Sequence, residues 1–387
     1  MRDSDPQAGS SKRVLLITAS VGAGHNSVAR AIREDLTATG RVDVTVVDSM
    51  EIVPAWFRKA YAGGFMLAMS HLPRFYALLY VLTNRPQSPR RGLGEQVRLA
   101  LERYAARPLR ERLARERYDL IVHTHYLAPI VIAHMRRAGL VDTPQFMMVT
   151  DIETHRLWYS EEVDRWFLPA PYAAQAFRRW GVSEDRLTVS GMALQAKWSA
   201  PLDRRRIYAD WDLPADRPIV LLSGGTEFVC GPVTRIAHGI CRACPQAMVV
   251  VLAGRNKKLL AELTAKPEPA GRVRAVAFTD RSHELAEVCS LMVTKPGGLT
   301  TAECLAKGTP MVLTDPVPGH EGGNAQYLAC NEAAVIVRGE RDVVATVARL
   351  LDHPDLLRQM SANARRLYRP GREIITDAIL RTLGLKG

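Results

Sequence analysis

The run "SVGAGHNSV" (20–28) follows the apolar stretch "VLLITA" and leads into a helical pattern with apolar positions at Val28, Ala31, Ile32 and Leu36. Small, glycine-rich loops between a strand and a helix ordinarily hold an anion on their backbone N–H groups. This one carries a histidine, His25, at or near the helix N-terminus. Unpaired N–H groups and the positive end of the dipole disfavour an added positive charge there. An imidazole so placed tends to stay neutral, which is the state a general base needs. The competing reading is a histidine that caps the loop or packs on its glycines. Gly22 and Gly24 are present, but Ser27 stands where the third glycine of a dinucleotide fingerprint belongs, so no dinucleotide cofactor is expected.

A second cluster lies in "TKPGGLTTAECLAKGTPMVLTDPVPGHEGGNAQYL" (294–328). The pattern predicts a strand, a Pro-Gly-Gly turn, a helix from near Thr300 and a left-handed stop at Gly308. A further strand, a proline-rich turn and another helix follow. Pro296, Gly297 and Gly298 let the backbone come close to a ligand, and the helix start offers N–H groups to an anion. Glu303 is read in the first helical turn, where a carboxylate can take two ribose hydroxyls; a first-turn glutamate is also ordinary helix chemistry. The loop "GHEGGN" brings His320, Glu321 and Asn324 to another helix start. Polar groups on two adjacent loops suit a hydroxyl-rich ligand such as a sugar.

The elements that must position these loops are legible as twelve short apolar runs. Six fall at 13–19, 43–48, 118–124, 145–150, 165–170 and 186–190. Six more fall at 218–224, 247–254, 273–279, 291–297, 310–315 and 333–338. Runs this apolar, without clean alternation, belong to parallel strands covered on both faces. Helical patterns lie between most of them. The expected fold is therefore α/β, with two doubly wound units facing a cleft, which fits a chain of 387 residues.

The boundaries read as a disordered tail at 1–12, an N-terminal domain at 13–196, a linker at 197–217 and a C-terminal domain at 218–387. The last helix is a candidate to pack back on the N-terminal domain. The linker assignment rests on three prolines and dense charge in "KWSAPLDRRRIYADWDLPADRP". The polar start lacks a signal peptide's apolar core, and no run of 18 or more apolar residues occurs. The six cysteines are scattered through the second half, which suits reduced thiols in the cytoplasm. "CRAC" (241–244) has no second pair to complete a zinc site, so no metal is expected.

The net charge of +12 is uneven: residues 56–117 hold 13 Lys and Arg against 4 Asp and Glu. Within that window "AWFRKAYAGGFMLAMSHLPRFYALLYVLTNRP" (55–86) mixes aromatic, aliphatic and cationic residues, with Trp56, Phe57 and Phe65 among them. Such a segment can rest in an anionic membrane interface, or it can form a buried helical hairpin. No nucleic-acid motif accompanies the charge, so nucleic acid is not an expected partner.

Three patterns in this chain, "T-K-P-G-G-L-T-x-x-E-x-L-A-x-G-x-P", "P-x-P-G-x-E-x-x-N" and "S-x-G-x-G-H", together resemble one family. It comprises the monogalactosyldiacylglycerol synthases and processive diacylglycerol glucosyltransferases, relatives of the peptidoglycan glycosyltransferase MurG. The resemblance runs from about residue 13 to 370. It implies the GT-B fold and inverting transfer of a hexose from a UDP-sugar to diacylglycerol, without a metal and at the cytoplasmic face of the membrane.

Carried over by position, His25 matches the loop histidine proposed to act in catalysis, with Gly24 beside it at the acceptor. Asp151, in "VTDIETHRLW" (149–158), is the alternative base, and Trp158 matches a tryptophan on the lipid side. Glu303 matches the glutamate that holds the uridine ribose, and Glu321 and Asn324 match positions near the donor sugar. Arg255 and Asn256, in "AGRN", and Lys295 fall near the diphosphate. Gly224, Gly225, Phe278, Gly297, Gly298, Thr300 and His320 complete the donor-side set. His320 replaces the family's usual glutamine, so the resemblance does not name the hexose. Two other readings keep the fold: transfer to a polyprenyl-linked acceptor, and UDP-sugar 2-epimerisation. A non-catalytic UDP-sugar or lipid binder is a third.

Overall fold

The computed structural model describes residues 11–59, 80, 82–84, 101, 104–105, 107–224, 231–314, 316 and 319–386. Phe65, Gly225 and most of the apolar basic segment lie outside the described residues. So do residues 1–10 of the expected tail; Lys12, assigned to it, opens the first strand and pairs with Val42.

The described residues form two six-stranded sheets, and every strand pair is parallel. The first contains β1 (Lys12–Thr18), β2 (Val42–Asp48), β3 (Leu120–His123), β4 (Gln145–Met148), β5 (Arg165–Leu168) and β6 (Leu187–Val189), in the order β2-β1-β3-β4-β5-β6. The second contains β7 (Ile219–Ser223), β8 (Met248–Gly254), β9 (Val273–Ala277), β10 (Leu291–Thr294), β11 (Met311–Thr314) and β12 (Ala334–Val337), in the order β12-β11-β10-β7-β8-β9.

All twelve expected runs are strands. The reason shows in β1, where Val14 and Leu16 pack on one face and Leu15 and Ile17 on the other, all essentially without exposure. Successive strand residues point to opposite faces, so only a sheet covered on both sides selects an unbroken apolar run.

Six helices matter to the site: α1 (Ala23–Ala38), α2 (Leu127–Arg137), α3 (Arg204–Asp210), α4 (Gly298–Lys307), α5 (His320–Cys330) and α6 (Gly371–Thr382). In α1 the four expected apolar positions are buried. Ile375 and Ile379 of α6, with Leu383 just after it, join Val28, Ile32 and Leu36 of α1 in one core, and Arg372 pairs with Asp35. The chain's last helix thus completes the first sheet's layer.

Residues 197–217 are not a free linker. Asp203 caps α3 by accepting the N–H groups of Arg205 and Arg206, and Ile207, Trp198 and Leu213 bury against the second sheet. Burial of one such side chain is worth about 1.5–3 kcal/mol. Seven residues are too few for a helical period to show in the sequence. Cys241 and Cys244 are buried core thiols, and burial pushes Cys241 up to about 11, as befits a structural rather than a reactive thiol.

Candidate active site at the interdomain cleft

Strand order dictates where the loops meet. In the first sheet the chain leaves β1 for β2 on one side and β3 on the other, so the loops after β1 and β3 flank a crevice. In the second sheet the same reversal falls between β7 and β10. His25 stands in the first crevice and the Pro296-Gly297-Gly298 turn in the second.

His25 is the third residue of α1. Its Nδ1 lies 2.7 Å from the carbonyl oxygen of Thr124, just beyond β3. A carbonyl only accepts, so Nδ1 donates its hydrogen and the neutral ring carries its lone pair on Nε2. Around the ring stand His125, with centroids 4.8 Å apart and the rings nearly perpendicular, and Trp158 at 6.1 Å. Tyr126 stacks on His125 at 4.1 Å.

Trp158 is buried and forms a wall of the His25 site. His125 accepts the Leu127 N–H on Nδ1, and burial, helped by His25, holds it well below the usual histidine range. His123 is a core residue on Gln145, pushed down to about 4 by burial. Asn26 joins the loop to Thr18, whose hydroxyl lies 2.7 Å from its Oδ1. Sequence reasoning did not use Tyr126 or Asn26. The aromatic beside "HTH" at a strand end was the available signal for the first.

On the other side α4 begins at Gly298, not near Thr300, with Gly297 in the capping position. Glu303 therefore lies in the second turn, a correction to its expected place. Its carboxyl is shielded from water enough that burial pushes it up to about 8, with Lys197 pulling the other way. Gly308 ends α4 in the left-handed conformation, at φ 67°.

The tight approach of Gly298 is to protein, not to a ligand: a Cβ there would lie 2.0 Å from the carbonyl oxygen of Thr150. Gly24 likewise faces Leu299 of α4, at 3.6 Å from the position its Cβ would take. The two crevices are thus brought face to face by backbone contact, with Asp151 next to Thr150 at the junction.

Asn324 differs most from its expected role. It is fully buried; its Oδ1 accepts the N–H groups of Ile152 and Glu153 at 2.9 and 3.2 Å, and its Nδ2 donates to the Pro296 carbonyl at 3.0 Å. The amide clasps the two halves together instead of facing a sugar. Asn324→Ala leaves three backbone groups without these partners, at about 1–3 kcal/mol for each that stays buried and unpaired. A marked fall in the urea midpoint is expected; a midpoint equal to that of the unmutated chain would refute the clasp.

The remaining donor-side residues spread along the second sheet's crevice. Gly224 follows β7, Lys295 follows β10, Thr300 sits in the first turn of α4, and Glu321 faces Gly297, 3.9 Å from where its Cβ would be. His320 opens α5. Arg255 lies over the ring of Phe278 at 4.8 Å, and Phe278 is 57% exposed. Asn256 caps the helix Lys257–Ala265 by accepting the Leu259 N–H, so that oxygen is committed to the fold.

Phe57, expected on the lipid side, is buried with Met50, Val53 and Leu127. Trp56 beside it is half exposed, as are Leu82, Leu101 and Tyr104. Among the described residues no helix is long and apolar enough to cross a membrane.

Comparison with known proteins follows the same division. Residues 25–194 match the family model of monogalactosyldiacylglycerol (MGDG) synthase, and residues 239–373 match the glycosyltransferase family 28 C-terminal domain. The chain is 27% identical over 376 residues to the processive diacylglycerol beta-glucosyltransferase of Bacillus subtilis (strain 168), covering 96% of this chain and 95% of that protein. It is 26% identical over 378 residues to the protein of that description from Bacillus thuringiensis (strain Al Hakam), covering 95% and 93%.

Among solved structures, MurG of Acinetobacter baumannii superposes with a TM-score of 0.62 at 17% identity, covering 96% of this chain and 99% of that one. A UDP-N-acetylglucosamine 2-epimerase superposes at 0.61 and 15% identity, covering 97% of each. These likenesses establish the GT-B fold, which a transferase and an epimerase share.

Proposed function

We propose that this chain, which belongs to the monogalactosyldiacylglycerol synthase family of MurG-like GT-B glycosyltransferases, moves a hexose with inversion from a UDP-sugar to diacylglycerol or a related lipid. The observation that carries the reading is His25, held by the Thr124 carbonyl with its lone pair on Nε2, opposite the N-terminus of α4.

The lipid hydroxyl gives its proton to His25 Nε2 while its oxygen attacks the anomeric carbon. The bond from that carbon to the diphosphate oxygen breaks on the opposite face, UDP leaves with the electron pair, and the configuration inverts. The first N–H groups of α4 and the cations Lys295 and Arg255 are the groups suited to the departing diphosphate. Asp151, at the junction, is the alternative base or a residue that orients the acceptor.

The chain would work peripherally at the cytoplasmic face of a membrane. Trp56, Leu82, Leu101 and Tyr104 supply exposed apolar area there, and Arg58 and Lys59 supply attraction to anionic headgroups.

The test uses diacylglycerol in anionic vesicles with labelled UDP-galactose, UDP-glucose and UDP-N-acetylglucosamine in separate tubes. Label entering the lipid with one donor is the expected result and names the sugar. Interconverted sugar in vesicle-free controls, with no lipid label, would replace the transferase by an epimerase.

Glu303 gives a second check. If ribose hydroxyls donate to its carboxylate, UDP binding favours the ionised form and draws the carboxyl down from about 8. A proton is then released on binding near pH 7, and affinity rises with pH up to about 8. Calorimetry in buffers of different ionisation enthalpy reads that proton directly. Glu303→Gln is expected to abolish its release, and equal release from both proteins would remove Glu303 from the ribose site.

A further inference from the structure

The start of α5 touches the apolar basic segment directly. Gly319, the residue before α5, has φ 102° and ψ −127°, a conformation that favours glycine. A Cβ built there would lie 3.0–3.2 Å from three ring carbons of Tyr80, so the ring rests against this backbone.

Tyr80 is held in turn by the first unit. His155 accepts the Leu157 N–H on Nδ1, which puts its hydrogen on Nε2. That nitrogen lies 3.1 Å from the Tyr80 carbonyl oxygen and 3.1 Å from the Thr83 hydroxyl, and the Tyr80 and His155 rings are 4.5 Å apart. Asn84 Oδ1 accepts the Arg156 N–H at 2.7 Å. The first turn of α5 is therefore bounded by Tyr80 at Gly319 and clasped to residues 152–153 through Asn324. Between them stands Glu321, facing Gly297 at the start of α4.

We propose that Tyr80 is a positioning residue for the donor side: its ring sets Gly319, and with it the first turn of α5. Donor binding then depends on a residue of the acceptor-side, membrane-facing segment. The assignment of sides rests on the transferase reading above. Binding free energies are reciprocal, so a ligand that favours this placement of Tyr80 raises donor affinity, and the donor in turn favours this placement of Tyr80.

The experiment measures UDP affinity by calorimetry and KM for sugar nucleotide and for lipid vesicles, in the full chain and in Tyr80→Ala and Tyr80→Phe. Tyr80→Ala is expected to weaken UDP by about fivefold or more and to raise the donor KM with a smaller change in kcat. Tyr80→Phe keeps the carbons that meet Gly319 and should stay close to the unmutated protein. A loss of general packing would lower the melting temperature without this donor-specific split.

Gly319→Ala attacks the same contact from the donor side, and serves if Tyr80→Ala does not fold. Unchanged UDP affinity in a folded Tyr80→Ala or Gly319→Ala overturns the inference, as does equal damage from Tyr80→Phe. UDP binding needs no acceptor, so a chain that binds UDP and labels no lipid would sink the transferase reading alone. Lipid labelling with unchanged UDP affinity in Tyr80→Ala would sink this inference alone.

Discussion

Replacing His25 with alanine is expected to lower kcat by roughly 10²–10⁴-fold, the range a positioned general base contributes. UDP affinity should hardly change, because the ring belongs to the first sheet's crevice. The stability cost should be modest: the Nδ1–Thr124 hydrogen bond is worth about 1 kcal/mol. The two readings of the loop histidine part here. A ring that only fills space would lower the melting temperature and leave kcat per folded molecule near that of the unmutated chain. Asp151→Asn is the companion variant. If it abolishes turnover and His25→Ala keeps more than about a tenth, the base is the carboxylate.

Gly298→Ala is expected to damage both stability and UDP binding. The added carbon would sit 2.0 Å from the Thr150 carbonyl oxygen and 3.3 Å from Met192 Cε. The oxygen is backbone, tied to the strand end that carries Asp151, so it cannot rotate away as a side chain would. Either the first turn of α4 or the junction must move. Overpacking of a tight contact costs about 1–3 kcal/mol, and in the proposed donor site a displaced helix start would also loosen its hold on the diphosphate. A drop in melting temperature together with a tenfold or greater loss of UDP affinity, about 1.4 kcal/mol, is the expected outcome. Gly297→Ala is the control: its nearest neighbour would be Glu321 Oε1 at 3.9 Å, an ordinary contact. Equal effects of the two substitutions would show that the Thr150 approach is not what demands glycine at 298.

Packing between elements decided what single positions did not show. A glycine beside a helix start reads as room for a ligand, yet at 298 the space is filled by the opposite unit's backbone. Asn324 has the polarity of a sugar contact but spends both ends of its amide on main-chain groups. Phe57 and Trp56 are adjacent aromatics of the same kind, and only packing separates the buried one from the exposed one. The pattern starts a helix near Thr300, but α4 begins two residues earlier, where the contact with Thr150 sets the chain. Gly298, Asn324 and the start of α4 turn on what lies across the cleft, and Phe57 on packing within the first unit.

What the sequence by itself determined is local and periodic. Twelve apolar runs specified twelve parallel strands, and the fully buried ones such as β3, β4, β10 and β11 show why: a run covered on both faces leaves its mark residue by residue. His25 at a helix start and Gly308 at a helix stop were readable for the same reason, since each is required by the few residues beside it. Tertiary structure alone decided that the Thr124 carbonyl fixes the His25 tautomer, that Trp158 walls the His25 ring, and which residues of α6 pack against α1. Those depend on strand order and on the meeting of two sheets, and contacts between residues 99 or more positions apart impose no spacing that a single sequence could display.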